Sequence, residues 1–440
     1  MERSKLFEVL RKRIENERFD KLNGRVSKVI GLTIESRGPD ASLGELCKMF
    51  TRDGRRILAE VVGFRDEDVL LMPLEDATGL KPGCEVVSTG RIVDVGVGEG
   101  LKGRVLDGLG RPIDGKPFIP EKRYPIVNES PHPLRRKRIK QPIPTGIRSI
   151  DGFITLGKGQ RMGIFSGSGV GKSILMGMIA RNTYADINVI ALIGERGREV
   201  REFIERDLGD EGLKRSVVVV STSDQPALLR VKSLLTATAI AEYFRDQGYD
   251  VMLMVDSLTR WAMAQREVGL SIGEPPTTRG YPPSVFAGLP KILERAGNSE
   301  RGSITAIYTV LVEADDFNEP ISDTVRSIVD GHVILSRQLA EANHYPAVDV
   351  LMSISRLMPE VVDAEHMEAA AKIKDLMATY KSAKDLIDVG AYKKGTNPKI
   401  DLAIDMMDEI NSFLRQGMFE KAPFEETVDR LLKVASKILF

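Results

Sequence analysis

From about residue 151 to 345, short runs that are apolar throughout alternate with amphipathic stretches. MGIFSG precedes KSILMGMIARNTY, VIALIGE precedes REVREFIERD, and SVVVVST precedes a long helical run to residue 247, with VMLMVD, SITAIYTVLV and GHVILS beyond. A run that is apolar at every position marks a strand covered on both faces. A parallel sheet with helices on both sides provides that cover, so this region is expected to be an α/β fold. In such sheets ligands bind outside the carboxyl ends of the strands, which fixes where to look for a site.

The texture differs on either side. Residues 21–92 carry short apolar runs (RVSKVIGLTIES, RRILAEVVGF, DVLLMPL, CEVVSTGRI) cut by Gly38-Pro39-Asp40, RDGR and KPG, which predicts a small β-barrel domain. An α/β nucleotide-binding domain is placed over 93–345, with a Pro- and Arg-rich linker over 120–147. Its basic run Arg135-Arg136-Lys137-Arg138 reads as solvated linker rather than a nucleic-acid patch. Residues 346–440 are expected to be helical: Ile373, Leu376, Met377 and Tyr380 follow helical spacing. Asn397-Pro398 opens a helix with Ile404, Met407 and Leu414 behind it, and Phe424, Val428, Leu431, Leu432 and Ala435 line a last one. Residues 1–20 are expected to form an amphipathic helix, with Leu6, Phe7, Leu10 and Ile14 on one face, either packed on its own domain or docking a partner, with a membrane surface as the third and weaker reading.

Composition narrows the class. Sixty-three basic residues balance sixty-three acidic ones across 440 positions, so no bulk field draws the chain to nucleic acid or anionic lipid. Two cysteines, Cys47 and Cys84, make neither a disulfide framework nor a metal site, which suits the cytoplasm. The sequence has no membrane-spanning run, which leaves only peripheral contact with a membrane.

Within the α/β region, Phe165 to Ser173 reads FSGSGVGKS, between a strand and a helix. This is the phosphate-binding loop G-x-x-x-x-G-K-[ST] with Ser166 at the first glycine position, a change tolerable where φ is negative. Gly167, Ser168, Gly169, Val170 and Gly171 turn backbone N–H groups toward phosphates, Lys172 reaches the β and γ groups, and Ser173 binds Mg²⁺. Asp256 ends the run VMLMVD and supplies the second Mg²⁺ contact; taken alone it would read as a helix cap. Glu195 ends the run VIALIGE at another strand end, where a carboxylate orients and deprotonates the attacking water. Without a phosphate loop upstream it would read as a surface partner of Arg196 and Arg198.

The segments GIFSGSGVGKS, IALIGERGREVREF, VDSLTRWAMAQREV, GEPPTTRGYPPSVFAGLPKILERAG, YPAVDVLMSISR and GAYKKGTNPKID resemble the flagellar type III export ATPases, within the group that contains rotary ATP synthase catalytic subunits. The resemblance runs from about residue 22 to the C-terminus. It implies a β-barrel, a RecA-like ATPase core, a helical C-terminal domain and a homohexameric ring that hydrolyses ATP with Mg²⁺. It matches Glu195 to the catalytic glutamate, Arg196 to its neighbouring arginine and Tyr345 to the adenine-stacking tyrosine. Arg356 matches the arginine finger given to the adjacent subunit. It further implies a stator-like regulator at the N-terminal helix, and an export gate, chaperones and export substrates as partners. The alternatives are the ATPase of a virulence-type injectisome, a catalytic or non-catalytic subunit of a rotary ATPase, and an RNA-translocating RecA-like helicase. Glu195 argues against the non-catalytic subunit, and the single Trp261 with zero net charge argues against the helicase.

Overall fold

The structure is a computed structural model that describes residues 23–312 and 316–438. The helix expected within residues 1–20 lies outside the described residues.

Six short strands close the first compact unit into a barrel: β1 (Gly24–Ile30), β2 (Thr33–Arg37), β3 (Glu45–Phe50), β4 (Arg56–Arg65), β5 (Asp68–Pro73) and β6 (Glu85–Ile92). The order is β1-β2-β5-β4-β3-β6, and β6 pairs back onto β1, so no strand edge is left open. Burial alternates along β3, where Glu45, Cys47 and Met49 face inward. Both cysteines are free thiols in the barrel core, and burial pushes the Cys47 thiol up to about 12. They pack as small apolar residues.

In the second unit, β7 (Asp94–Val97), β8 (Arg104–Asp107) and β9 (Lys122–Pro125) come first, β7 pairing with β9. Then follow β10 (Arg161–Ser166), β11 (Ile187–Ile193), β12 (Ser216–Ser221), β13 (Asp250–Asp256), β14 (Gly297–Asn298), β15 (Ser303–Leu311), β16 (Gly331–Leu335) and β17 (Ile354–Ser355). The main sheet runs β17-β16-β10-β15-β13-β11-β12-β8, with β14 against β15. Pairings along that path are parallel except β16 with β17. Strands β11 and β12 are buried at every position, as the apolar runs Val189–Ile193 and Val217–Val220 within them require. The chain leaves β10 and enters the sheet again at β11, on the far side of β15 and β13. It fills those two places later, so the carboxyl ends of β10, β11 and β13 surround one cleft.

The basic run departs from its expected solvated state at one residue. Arg136 is half-buried; its guanidinium donates to the carbonyl of Ala296 at 2.8 Å and to the Glu294 carboxylate at 3.4 Å, while Arg135, Lys137 and Arg138 stay exposed. These acceptors, with the carbonyls of Pro131 and Glu294, compensate the lost hydration of one arginine, whereas burying four adjacent cations would leave most unpaired.

Three helices end the chain: Ala364–Asp388, Pro398–Leu414 and Phe424–Ala435. Asp363 caps the first by accepting from the His366 N–H at 2.8 Å, and Asn397 caps the second by accepting from the Lys399 N–H at 3.0 Å. On the second helix the buried stripe is Ala403, Met406, Ile410, Phe413 and Leu414, offset by one position from the expected Ile404 and Met407. The large Phe413 decides this offset, because its ring meets Phe153 edge to face at 5.9 Å. Leu376, Ile410 and Leu431 share one apolar core with Ile150 and Ile179, so these helices and the sheet form a single compact unit. Buried Arg148 adds polar ties, donating from Nε to the Phe413 carbonyl at 2.8 Å and pairing with Glu420.

Candidate nucleotide site

Strand β10 ends on Ser166, whose backbone pairs with Leu311 on one side and Leu335 on the other; its carbonyl accepts from the Val312 N–H at 2.9 Å. The first motif position is therefore strand, and only later positions need glycine. Gly169 (φ 80°) and Gly171 (φ 93°) take the left-handed conformations that make the loop turn. Gly171 is also the cap of the helix Lys172–Asn182, whose free N–H groups face the loop. Ser168, Gly169 and Ser173 are exposed; Val170 is buried.

Lys172 reaches across to the β13 end, pairs with Asp256, and lies 3.9 Å from a Glu195 oxygen. Asp256 also accepts from the Thr309 hydroxyl of β15 at 3.0 Å. Glu195 is turned off the end of β11 by Gly194, at φ 69°. A side chain on Gly194 would lie 3.0 Å from the Arg260 stem, a second reason for glycine there. Burial, reinforced by the Asp256 charge and opposed by Lys172, pushes the Glu195 carboxyl up to about 7. A carboxylate poised near neutrality accepts a proton from water far more readily than an ordinary glutamate.

The cleft over these groups encloses about 650 Å³ and takes in Gly167, Ser168, Ser173, Glu195, Arg196 and Tyr345. It also contains residues the sequence reading passed over: Thr259, Arg260, Met263 and Arg337. Arg260 lies in the first turn of the helix Leu258–Ser271 that follows Asp256, a proximity that was available as a signal; its buried Nε has no hydrogen-bond partner among the described residues. Arg196 is exposed and pairs with Glu199 at 3.2 Å. A second hollow of about 230 Å³ adjoins the first, sharing Gly171, Ile174 and Tyr345, and is lined further by Val170, Met178, Leu335, Pro346 and Met418. Val170 thus belongs to the apolar hollow. Tyr345 stands at the junction, where a Cβ on Gly171 would lie 3.5 Å from its ring. Gln416 joins this wall from a segment more than 200 residues away, without any local pattern to announce it.

Arg356 is not brought to this cleft. It follows β17, its side chain is exposed, and its guanidinium has no ion-pair or hydrogen-bond partner among the described residues. Among the described residues, no group of three acidic, histidine or cysteine residues forms a metal cage.

One hollow of glycine backbone, lysine and carboxylates beside an apolar one is shaped for a nucleoside triphosphate, and the comparisons agree. The nucleotide-binding domain model of the ATP synthase alpha/beta family matches residues 146–355, its beta-barrel domain model matches residues 26–90, and the T3SS EscN ATPase C-terminal domain model matches residues 362–433. The flagellum-specific ATP synthase of Bacillus subtilis is 57% identical over 93% of this chain and 94% of its own length. The type 3 secretion system ATPase of Xanthomonas euvesicatoria is 52% identical over 93% of each. The chain belongs to the type III export ATPase family. The assembled EscN ATPase of the enteropathogenic E. coli type III secretion system superposes with a TM-score of 0.89 at 48% identity, over 94% of this chain and 100% of that one. This chain is accordingly an ATPase, with the barrel, α/β core and helical C-terminal region expected of it. No described helix is long and apolar enough to cross a membrane.

Proposed function

We propose that this chain hydrolyses ATP as one subunit of a homohexameric ring that energises protein export through a flagellar type III apparatus. The observation that carries the reading is the division of the site. Lys172, Glu195 and Asp256 converge in one cleft, while Arg356 stands exposed and away from it, as an arginine acting on a neighbouring subunit must. The flagellar system is favoured over an injectisome by the 57% identity to a flagellar relative against 52% to a secretion-system one.

In this mechanism Lys172 exchanges Asp256 for the β and γ phosphates, which the Gly167–Gly171 backbone and the helix N-terminus also hold. Glu195 accepts the proton of the water that attacks the γ phosphorus in line, as the bond to the β–γ bridging oxygen breaks. The exposed Ser173 hydroxyl and the Asp256 carboxylate are the hard oxygen donors that would hold Mg²⁺. Bound there it would neutralise phosphate charge. Arg196 contacts the transferred phosphoryl group from the mouth of the cleft, Tyr345 stacks on the adenine, and Arg356 of the adjacent subunit stabilises the developing charge.

The EscN ATPase has also been solved with its central stalk EscO, and that structure resembles this chain with a TM-score of 0.87. A stalk partner in the ring of this chain follows by analogy. Residues 1–20 dock a stator-like regulator, and the export gate, chaperones and substrates are further partners. The ring works in the cytoplasm with peripheral contact to the membrane apparatus and no specific nucleic acid.

The test is turnover against protein concentration. Specific activity should rise steeply as rings assemble. Glu195→Gln should abolish it, and Arg356→Ala should lower it by about 10³ with nucleotide affinity nearly unchanged. Activity independent of concentration, or an Arg356→Ala enzyme as active as the parent, would refute this reading.

A further inference from the structure

The strand that ends in the phosphate loop has a second polar assembly at its opposite end. Asp330, immediately before β16, accepts at its carboxylate from the Arg161 backbone N–H at 2.9 Å and from Arg161 Nε at 3.1 Å, and donates its own N–H to the Arg161 carbonyl at 2.8 Å. The carbonyl of Asp330 accepts from the backbone N–H of Arg356 at 3.0 Å and from Gln160 Nε2 at 3.3 Å. That amide, on a fully buried side chain, also donates to the Ser355 hydroxyl at 3.0 Å. Ser355 and Arg356 are thus each tied, by separate hydrogen bonds, to the first residues of β10 or to the aspartate that those residues hold.

The contrast with the Arg356 side chain is informative. Its guanidinium is exposed and unpartnered among the described residues, while its backbone N–H is bonded to the Asp330 carbonyl and the Ser355 hydroxyl before it to Gln160. A long flexible side chain costs rotamer entropy to hold in place, and its reach is only as well defined as the Cα that carries it. An assembly that fixes the Cα and leaves the tip free suits a residue whose partner lies on another molecule. The assembly is also continuous with β10, which ends five residues after Arg161 in Ser166 and the phosphate loop.

We infer that Gln160, Arg161, Asp330 and Ser355 are positioning residues for Arg356. They anchor the arginine that one subunit offers to its neighbour onto the same strand that carries its own phosphate loop. The inference rests on the proposed role of Arg356 in the ring and adds the residues through which that role is exercised. Arg356 touches the neighbour's substrate; these four act only through its backbone.

Two variants test it on the full-length assembled enzyme. Asp330→Asn weakens the grip of Arg161, and Ser355→Ala removes one bond beside Arg356, the milder change if Asp330→Asn does not fold. Each should lower kcat about tenfold at saturating ATP and leave nucleotide affinity within about twofold, with Ser355→Thr restoring the rate. In the Arg356→Ala background, followed by release of labelled phosphate, neither should cost anything further, because residues acting through one group are not additive. Mixing separates positioning from a general structural defect. Asp330→Asn chains keep an intact cleft, and Glu195→Gln chains keep an anchored Arg356, so mixed rings should turn over faster than either alone. Full losses in the Arg356→Ala background, or no gain on mixing, would overturn the inference. If Arg356→Ala itself has no effect, the ring reading fails instead. If it is crippled while Asp330→Asn and Ser355→Ala retain full activity, the ring reading stands and the positioning role falls.

Discussion

The two halves of the nucleotide cleft are built on opposite plans. The phosphate half is polar and held by charges in contact: Lys172 pairs with Asp256 and faces Glu195, above a glycine backbone whose N–H groups point inward. The adjoining half is lined by Val170, Ile174, Met178, Leu335, Pro346 and Met418, and the Gln416 amide in its wall is already committed. The Gln416 amide donates to the carbonyls of Gly146 at 2.8 Å and Glu420 at 3.0 Å and accepts from the Arg148 N–H at 2.9 Å. The carbonyl of Tyr345 accepts from the Gln416 N–H, and that of Ala347 from Ser336. One half therefore recognises charge through groups that need a ligand, and the other recognises shape through groups that do not.

The largest expected effect breaks the charged half. Lys172→Ala should weaken ATP binding by about 100-fold or more, because it removes the cation that pairs with Asp256 and leaves that carboxylate to repel the incoming phosphates. Titration with a fluorescent ATP analogue measures it, and a loss below about threefold would mean that the backbone loop alone binds phosphate.

The apolar half should respond more gently. Tyr345→Leu is expected to raise KM about tenfold with little change in kcat, since stacking acts alike on the ground and transition states. GTP should be turned over with kcat/KM within about tenfold of ATP, as a mostly apolar pocket whose Gln416 amide is already paired cannot strongly reject a base of similar shape. Strict preference for adenine would show that some polar group reads the base edge.

A smaller effect concerns the cost of the charged half to the empty protein. The Glu195 carboxyl stands at about 7 in the fold against an ordinary 4.5, so its neutral form is the favoured one. As pH rises from about 4.5 to 7 the unfolded chain ionises this group while the folded chain does not, so stability is lost across that window and stays lost above it. Glu195→Gln removes the effect. The nucleotide-free variant should therefore gain Tm over the parent by about 2 °C more at pH 8 than at pH 4.5. A gain independent of pH would point to packing alone.

The smallest effect is at the departure from the phosphate-loop pattern. Ser166 is extended strand, and its buried hydroxyl lacks a hydrogen-bond partner among the described residues. Ser166→Ala should leave ATP affinity unchanged and stability equal or slightly higher, because it deletes an unsatisfied polar atom. A weakened affinity would show that the hydroxyl tunes the loop.

What was legible in the sequence follows the same division. Gly169, Gly171, Lys172 and Ser173 stand in one stretch because a phosphate is gripped by consecutive backbone groups at a helix start. Glu195 and Asp256 were readable because each ends an apolar strand run. Arg260 carried a usable proximity to Asp256 and was missed. The apolar hollow was visible only at Tyr345, through family resemblance. Met178 and Leu335 look like any core residue in sequence, and the buried stripe of the helix Pro398–Leu414 fell one position from its expected place because Phe413 packs on Phe153.

The sequence by itself determined the α/β class, the barrel before it, the phosphate loop and the two strand-end carboxylates, since each depends on local periodicity or on neighbours along the chain. Only the tertiary structure decided that Gln416 and Met418 close the base hollow from the C-terminal region. It alone tied the backbone of Arg356 to the foot of β10. The bonds of Gln160 to Asp330 and Ser355 span 170 and 195 positions and that of the Gln416 amide to Gly146 spans 270, and most of their partners are ordinary backbone carbonyls and small side chains. Such groups exist at every residue, so their pairing is set by how the sheet and helices pack and leaves no mark in the local sequence.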